Sequence, residues 1–71
     1  MNKSRNLIRN NAIKLKFSEK DSGEVLLEIN SIIQPNIGDI VLIKSKGKFL
    51  ITKRYIIPEN NKIFYQGYIV K

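Results

Sequence analysis

Ile13-Lys14-Leu15-Lys16-Phe17 sets an apolar side chain at every second position and a lysine at each position between. Side chains of an extended strand point alternately to opposite faces, so this stretch reads as a strand with one apolar and one basic face. Val25, Leu27 and Ile29 alternate in the same way with Leu26, Glu28 and Asn30. Residues 39–44 and 48–57 are denser apolar runs rich in isoleucine, as expected of strands covered on more than one side. A fifth strand is expected over Lys62–Val70, through Ile63, Phe64, Tyr65, Tyr68, Ile69 and Val70. Gly67 within it marks a bulge or a close backbone approach.

Turn residues fall between these runs. Lys20-Asp21-Ser22-Gly23 suits a tight turn, Lys44–Lys48 contains Gly47, and Pro58-Glu59-Asn60-Asn61 begins with a proline that fixes its entry. Pro35, Asn36 and Gly38 interrupt residues 31–38, which reads as a loop with room for one short helical turn. Five short strands joined mostly as hairpins predict an all-β fold, nearly all antiparallel. Several strands carry apolar residues on both sides, and curling the sheet hides them and reduces free edges. The expected architecture is therefore a small five-stranded antiparallel barrel, SH3-like or OB-like, over residues 12–71. Residues 1–11 form a flexible basic arm or a short helix in this reading. A β-sandwich completed by a second copy is the alternative. Alternation leaves the register of 48–57 open. Phe49, Ile51, Lys53, Tyr55 and Ile57 share one face, and Leu50, Thr52, Arg54 and Ile56 the other.

Composition narrows the chemistry. The chain of 71 residues has 13 Lys and Arg against 6 Asp and Glu, a formal net charge of +7, with neither Cys nor His. Disulfides, thiolate metal sites, cysteine nucleophiles and histidine bases are thereby excluded. No phosphate loop, dinucleotide fingerprint or zinc spacing is present. Glu24 and Glu28 share a strand face but read as solvated surface. No catalytic residue, metal or cofactor is expected. No run approaches the roughly 20 apolar residues of a spanning helix, and Met1–Asn11 lacks the apolar core of a secretory signal. A cytoplasmic protein without a membrane association is expected, in a host cell or a virion if phage-encoded.

Charge is segregated along the chain. Residues 1–17 hold Lys3, Arg5, Arg9, Lys14 and Lys16 with no acid, and residues 18–43 hold Glu19, Asp21, Glu24, Glu28 and Asp39 against Lys20 alone. Residues 44–71 return to base, with Lys44, Lys46, Lys48, Lys53, Arg54, Lys62 and Lys71 against Glu59. Lysine and arginine on one surface attract phosphates by releasing counterions, whatever the base sequence. Arg5, Arg9, Lys14, Lys16, Lys44, Lys46, Lys48, Lys53 and Arg54 are thus candidate phosphate contacts on a continuous cationic surface. Tyr55, Phe64, Tyr65 and Tyr68 lie near enough in sequence to offer stacking platforms for bases, with Tyr55, Tyr65 and Tyr68 the leading candidates. The leading expectation is a non-enzymatic module that binds RNA or single-stranded DNA with weak sequence specificity, since no major-groove helix is evident.

Gly38-Asp39-Ile40-Val41-Leu42-Ile43, then Gly47, then Ile51-Thr52-Lys53-Arg54-Tyr55 resembles the β core of LexA-type and signal-peptidase-type Ser-Lys proteases across about residues 31–71. The resemblance implies Ser31 as nucleophile and Lys53 as its base, with Pro35 near the proline that follows the family's serine. Ser31 is followed by Ile32 where that family has methionine, and Asn30 stands in place of an acid. We read the similarity as grammar shared by small β barrels and expect no enzyme; a protease-like remnant is the third reading.

The second reading is a structural or interaction protein. Isoleucine, lysine and asparagine account for 13, 10 and 8 residues, a bias of AT-rich genomes that suits a phage or mobile element. A virion accessory protein or an inhibitor of a host protein then docks through the acidic stripe Glu19–Glu28 or a free sheet edge. The partner is nucleic acid in one case and an acidic protein surface in the other. A core this small supplies only about 3–5 kcal/mol, so a homo-oligomer or larger assembly is compatible with either.

Overall fold

The computed structural model describes residues 12–71. They form five strands, β1 (Ile13–Glu19), β2 (Val25–Ser31), β3 (Ile40–Ile43), β4 (Gly47–Ile57) and β5 (Lys62–Val70), with a single 3-10 turn at Pro58–Asn60. All belong to one sheet of order β2-β1-β5-β4-β3. The sheet curls into a half-barrel that does not close, leaving β2 and β3 as its edges.

The expected antiparallel barrel is corrected in two respects: the sheet stays open, and one pairing is parallel. β1 runs parallel to β5, with Leu15 beside Ile63 and Phe17 beside Tyr65, and the other neighbours are antiparallel. A parallel pair cannot be joined by a tight turn. Here β2, β3 and β4 lie between the two strands in sequence, and residues 32–39 carry the chain from the β2 edge toward the β3 edge. That crossing contains no helical turn. It is tied down by Tyr65, whose hydroxyl donates to the Pro35 carbonyl at 2.7 Å. Gly38 and Asp39 join it to β4 through backbone bonds with Ile51.

Leu15, Phe17, Ile43, Phe49, Ile51, Ile63 and Tyr65 are buried together on the inner face. Phe17 stacks on Tyr65 with centroids 4.7 Å apart and meets Phe49 edge-on at 5.8 Å. Such pairs add about 0.5–1.5 kcal/mol each beyond the area they bury. Gly67 lies so close to β4 that a Cβ there would overlap the Leu50 carbonyl. At one end of the half-barrel, Lys46 Nζ lies 3.8 Å from Glu24 Oε2 and links the β3–β4 hairpin to the turn before β2.

The open register of β4 resolves into both alternatives, one after the other. Ile51 pairs with Gly67 and Lys53 with Gln66, so Thr52 is an extra residue, a β-bulge. Before it Phe49 and Ile51 face inward; after it Arg54 opposes Tyr65 and Ile56 opposes Ile63 on the inner side, although Ile56, near the strand end, stays 58% exposed. Lys53, Tyr55 and Ile57 are thereby turned outward. The Thr52 hydroxyl donates to the Gln66 carbonyl at 3.2 Å, holding the irregular step in place.

Candidate nucleic-acid interface

Alternation on three adjacent strands builds the outer face. The inward set Leu15, Phe17, Ile63 and Tyr65 forces Lys14, Lys16, Lys62 and Phe64 outward, and the Thr52 bulge adds Lys53 and Tyr55 from β4. Registers give three successive rows across β1, β5 and β4. Lys14, Lys62 and Ile57 make the first, Lys16, Phe64 and Tyr55 the second, and Gln66 and Lys53 the third, where Ser18 beside Gln66 is buried. An aromatic pair thus lies between rows that carry lysines, one row step being two residues or about 6.6 Å along a strand.

Tyr55 and Phe64 are neighbours, with ring centroids 6.3 Å apart and planes inclined by 37°. The Lys16 ammonium sits over the Phe64 ring at 5.4 Å from its centroid. An exposed contact of this kind contributes about 0.5–1 kcal/mol. Tyr55 is 45% exposed, so its ring has a free surface. Among the described residues the ion pairs are Lys20 with Asp21 and Lys46 with Glu24. Lys14, Lys16, Lys53 and Lys62 form none there; Lys14 and Lys53 are exposed, and Lys16 and Lys62 are half-buried. Glu28, beside Lys16 on β2, bounds the basic face on that side.

The predicted site residues do not all join this face. Lys14, Lys16, Lys53 and Tyr55 do. Lys44 and Lys46 lie in the β3–β4 turn, and Lys48 beside Leu42 and Val70 at the far end of the outer face. Between Lys48 and Lys53 runs an apolar row, Ile40, Leu50 and Tyr68. The continuous cationic surface expected from the sequence is therefore divided in two. Tyr68 belongs to the apolar row, with Lys20 Nζ 5.9 Å from its ring centroid. Arg5 and Arg9 lie outside the described residues.

Arg54 and Tyr65 turn to the other side. Arg54 Nη1 donates to Asn36 Oδ1 at 2.6 Å and to the Pro35 carbonyl at 3.3 Å, clamping the crossing loop. Tyr65 is fully buried, so its ring has no face to offer a base. Burial pushes its phenol above the ordinary tyrosine range. Lys62 is the member that the candidate set lacked, and Phe64 stood outside its leading tyrosines. Their signal is alternation with Ile63 and Tyr65, but only the parallel register sets them beside Lys14 and Lys16.

The residues of the protease resemblance stand apart. Ser31 pairs with Ile13 at the β2 edge, and its hydroxyl makes a local turn with the backbone of Ile33 at 2.9 and 3.0 Å. Lys53 is exposed on β4, with β1 and β5 between the two strands. Among the described residues no three Asp or Glu side chains gather as metal ligands, and no helix is long and apolar enough to cross a membrane. Comparisons of the chain with protein-family models, with curated proteins and with solved structures find no match.

Proposed function

We propose that this chain is a non-enzymatic nucleic-acid-binding module whose contact surface is the outer face of β1, β5 and β4. The observation that carries the reading is the placement of Lys14, Lys16, Lys53 and Lys62, without ion pairs among the described residues, around the aromatic pair Tyr55 and Phe64. Lysine contacts to phosphate give affinity that is indifferent to base sequence and steeply salt-dependent. Four such contacts on a single strand correspond to a slope of about −3 in log affinity against log salt, at roughly 0.7 per phosphate. The test is a fluorescence-anisotropy titration against labelled single-stranded RNA, single-stranded DNA and duplex DNA at two salt concentrations. Binding near micromolar or tighter at low salt, weakened with that slope, supports the reading. Absence of binding to all three at low salt refutes it.

A second reading has its own observation. β3 is an edge strand with Leu42 74% and Ile40 53% exposed. Such an edge can accept an added strand from a protein partner, and the lysines of the adjoining turn favour an acidic one. Analytical ultracentrifugation and pull-down with Leu42→Lys separate this function from the first, since Leu42 lies outside the Lys16 cluster.

A further inference from the structure

We infer that the Tyr55–Phe64 pair is a stacking site for unpaired bases, so that the outer face selects single strands over duplex. This rests on the nucleic-acid reading above and deepens it. A duplex keeps its base faces inside the stack and offers the protein phosphates, sugars and base edges. A surface of lysines alone binds it readily. The outer face holds something more, an exposed aromatic ring with lysines in the rows on either side of it along β5 and β4.

The rows match the chemistry of a single strand, in which a phosphate precedes and follows each base. Lys14 and Lys62 lie in the row before the aromatic pair and Lys53 in the row after it. A base laid on Tyr55 therefore has cations on both flanks for its two phosphates. Gln66 on the same face supplies an amide to base edges without enforcing one base. On the β3 side the apolar row Ile40, Leu50 and Tyr68 ends the run of lysines, and on the β2 side Glu28 repels the backbone. The strand is thereby confined to β5 and its two neighbours.

Lys16 sets the order of events. Its ammonium rests on the Phe64 ring in the unbound chain. An exposed ammonium–ring contact corresponds to about a twofold to fivefold effect on an equilibrium. A base stacked on an aromatic ring corresponds to about fivefold to more than a hundredfold. Exchange of the ammonium for a base is favourable on that comparison, and the displaced Lys16 is then free to meet the phosphate that arrives with it. Tyr55, already open, takes the first base, and Phe64 the second.

The experiment uses the full chain, a dodecamer of deoxythymidylate and a mixed-sequence duplex of the same length, titrated over a range of salt concentrations. The wild type is expected to prefer the single strand about tenfold, within the range of one stacked base. Tyr55→Ala is expected to lose most of that preference with its salt slope unchanged, whereas Tyr55→Phe keeps it. Tyr55 is exposed and leaves the core untouched; Phe64→Leu, checked by circular dichroism, is the companion variant at the half-buried ring. Equal loss on both nucleic acids, or single-strand affinity within twofold of wild type in Tyr55→Ala and Phe64→Leu, overturns the stacking site and leaves phosphate binding standing. Failure to bind either probe removes both.

Discussion

The two faces of this sheet are made by the same strands and obey opposite rules. On the inner face each side chain is fixed by its neighbours: Phe17 lies between Tyr65 and Phe49, and Tyr65 ends on the Pro35 carbonyl. On the outer face Lys14, Lys16, Lys53 and Lys62 make no ion pair among the described residues, and Tyr55 keeps 45% of its surface exposed. One face therefore carries stability, and the other, in the function proposed here, presents charge to nucleic acid. Most residues are confined to one task by alternation, and Thr52 is where β4 exchanges the two sets.

The comparison predicts a steep ranking of effects. Phe17→Ala should cost about 3–5 kcal/mol, comparable with the whole contribution expected of a core this small, and leave the chain unfolded by circular dichroism. A folded Phe17→Ala protein would show that the inner face is not what holds the fold. Deletion of Thr52 comes next, because a regular β4 would bring Lys53 and Tyr55 to the inner side or slip the pairing. A protein with an unchanged amide spectrum after that deletion would break the assignment of faces.

Tyr65→Phe should cost about 1 kcal/mol in urea denaturation, the net worth of a hydrogen bond. Its pH dependence sharpens the point. The buried phenol is held above its ordinary value of 10.0, so above that pH the unfolded chain loses its proton while the folded chain keeps it. Stability falls as pH rises through this range, and Tyr65→Phe removes that part of the fall. The outer face lies at the bottom of the stability scale. Replacing Lys14, Lys16, Lys53 and Lys62 by Gln should abolish nucleic-acid binding at moderate salt. Stability should change by about 0.5 kcal/mol or less at Lys14, Lys53 and Lys62, and by up to about 1 kcal/mol at Lys16, which loses its contact with Phe64. Lys48→Gln, beyond the apolar row, should alter affinity by less than about twofold, one weak phosphate contact at most.

The strands themselves were legible because alternation and turn chemistry are local. Ile13–Phe17 carries its own period, and Gly67 announced the close approach that the Leu50 carbonyl makes to it. Which strands become neighbours is not local. Nothing within Ile13–Glu19 or Lys62–Val70 specifies that they run parallel, so Lys62 and Phe64 did not group with Lys14 and Lys16 in the sequence. The bulge was hidden for a related reason: both faces of 48–57 are apolar enough to be buried, and only pairing with Gly67 and Gln66 reveals the extra residue. Tyr65 was misjudged as a platform because a tyrosine in a strand reads alike whether its ring packs in a core or faces solvent.

The most direct test of the outer face is an NMR titration of the isotopically labelled chain with a deoxythymidylate dodecamer, following side-chain and amide shifts. Saturable changes concentrated at Lys14, Lys16, Lys53, Tyr55, Lys62 and Phe64, with the Phe17–Tyr65 core unmoved, are the expected result. Changes centred on the Lys44–Lys48 turn or the β3 edge, with the Lys16 cluster silent, would contradict it.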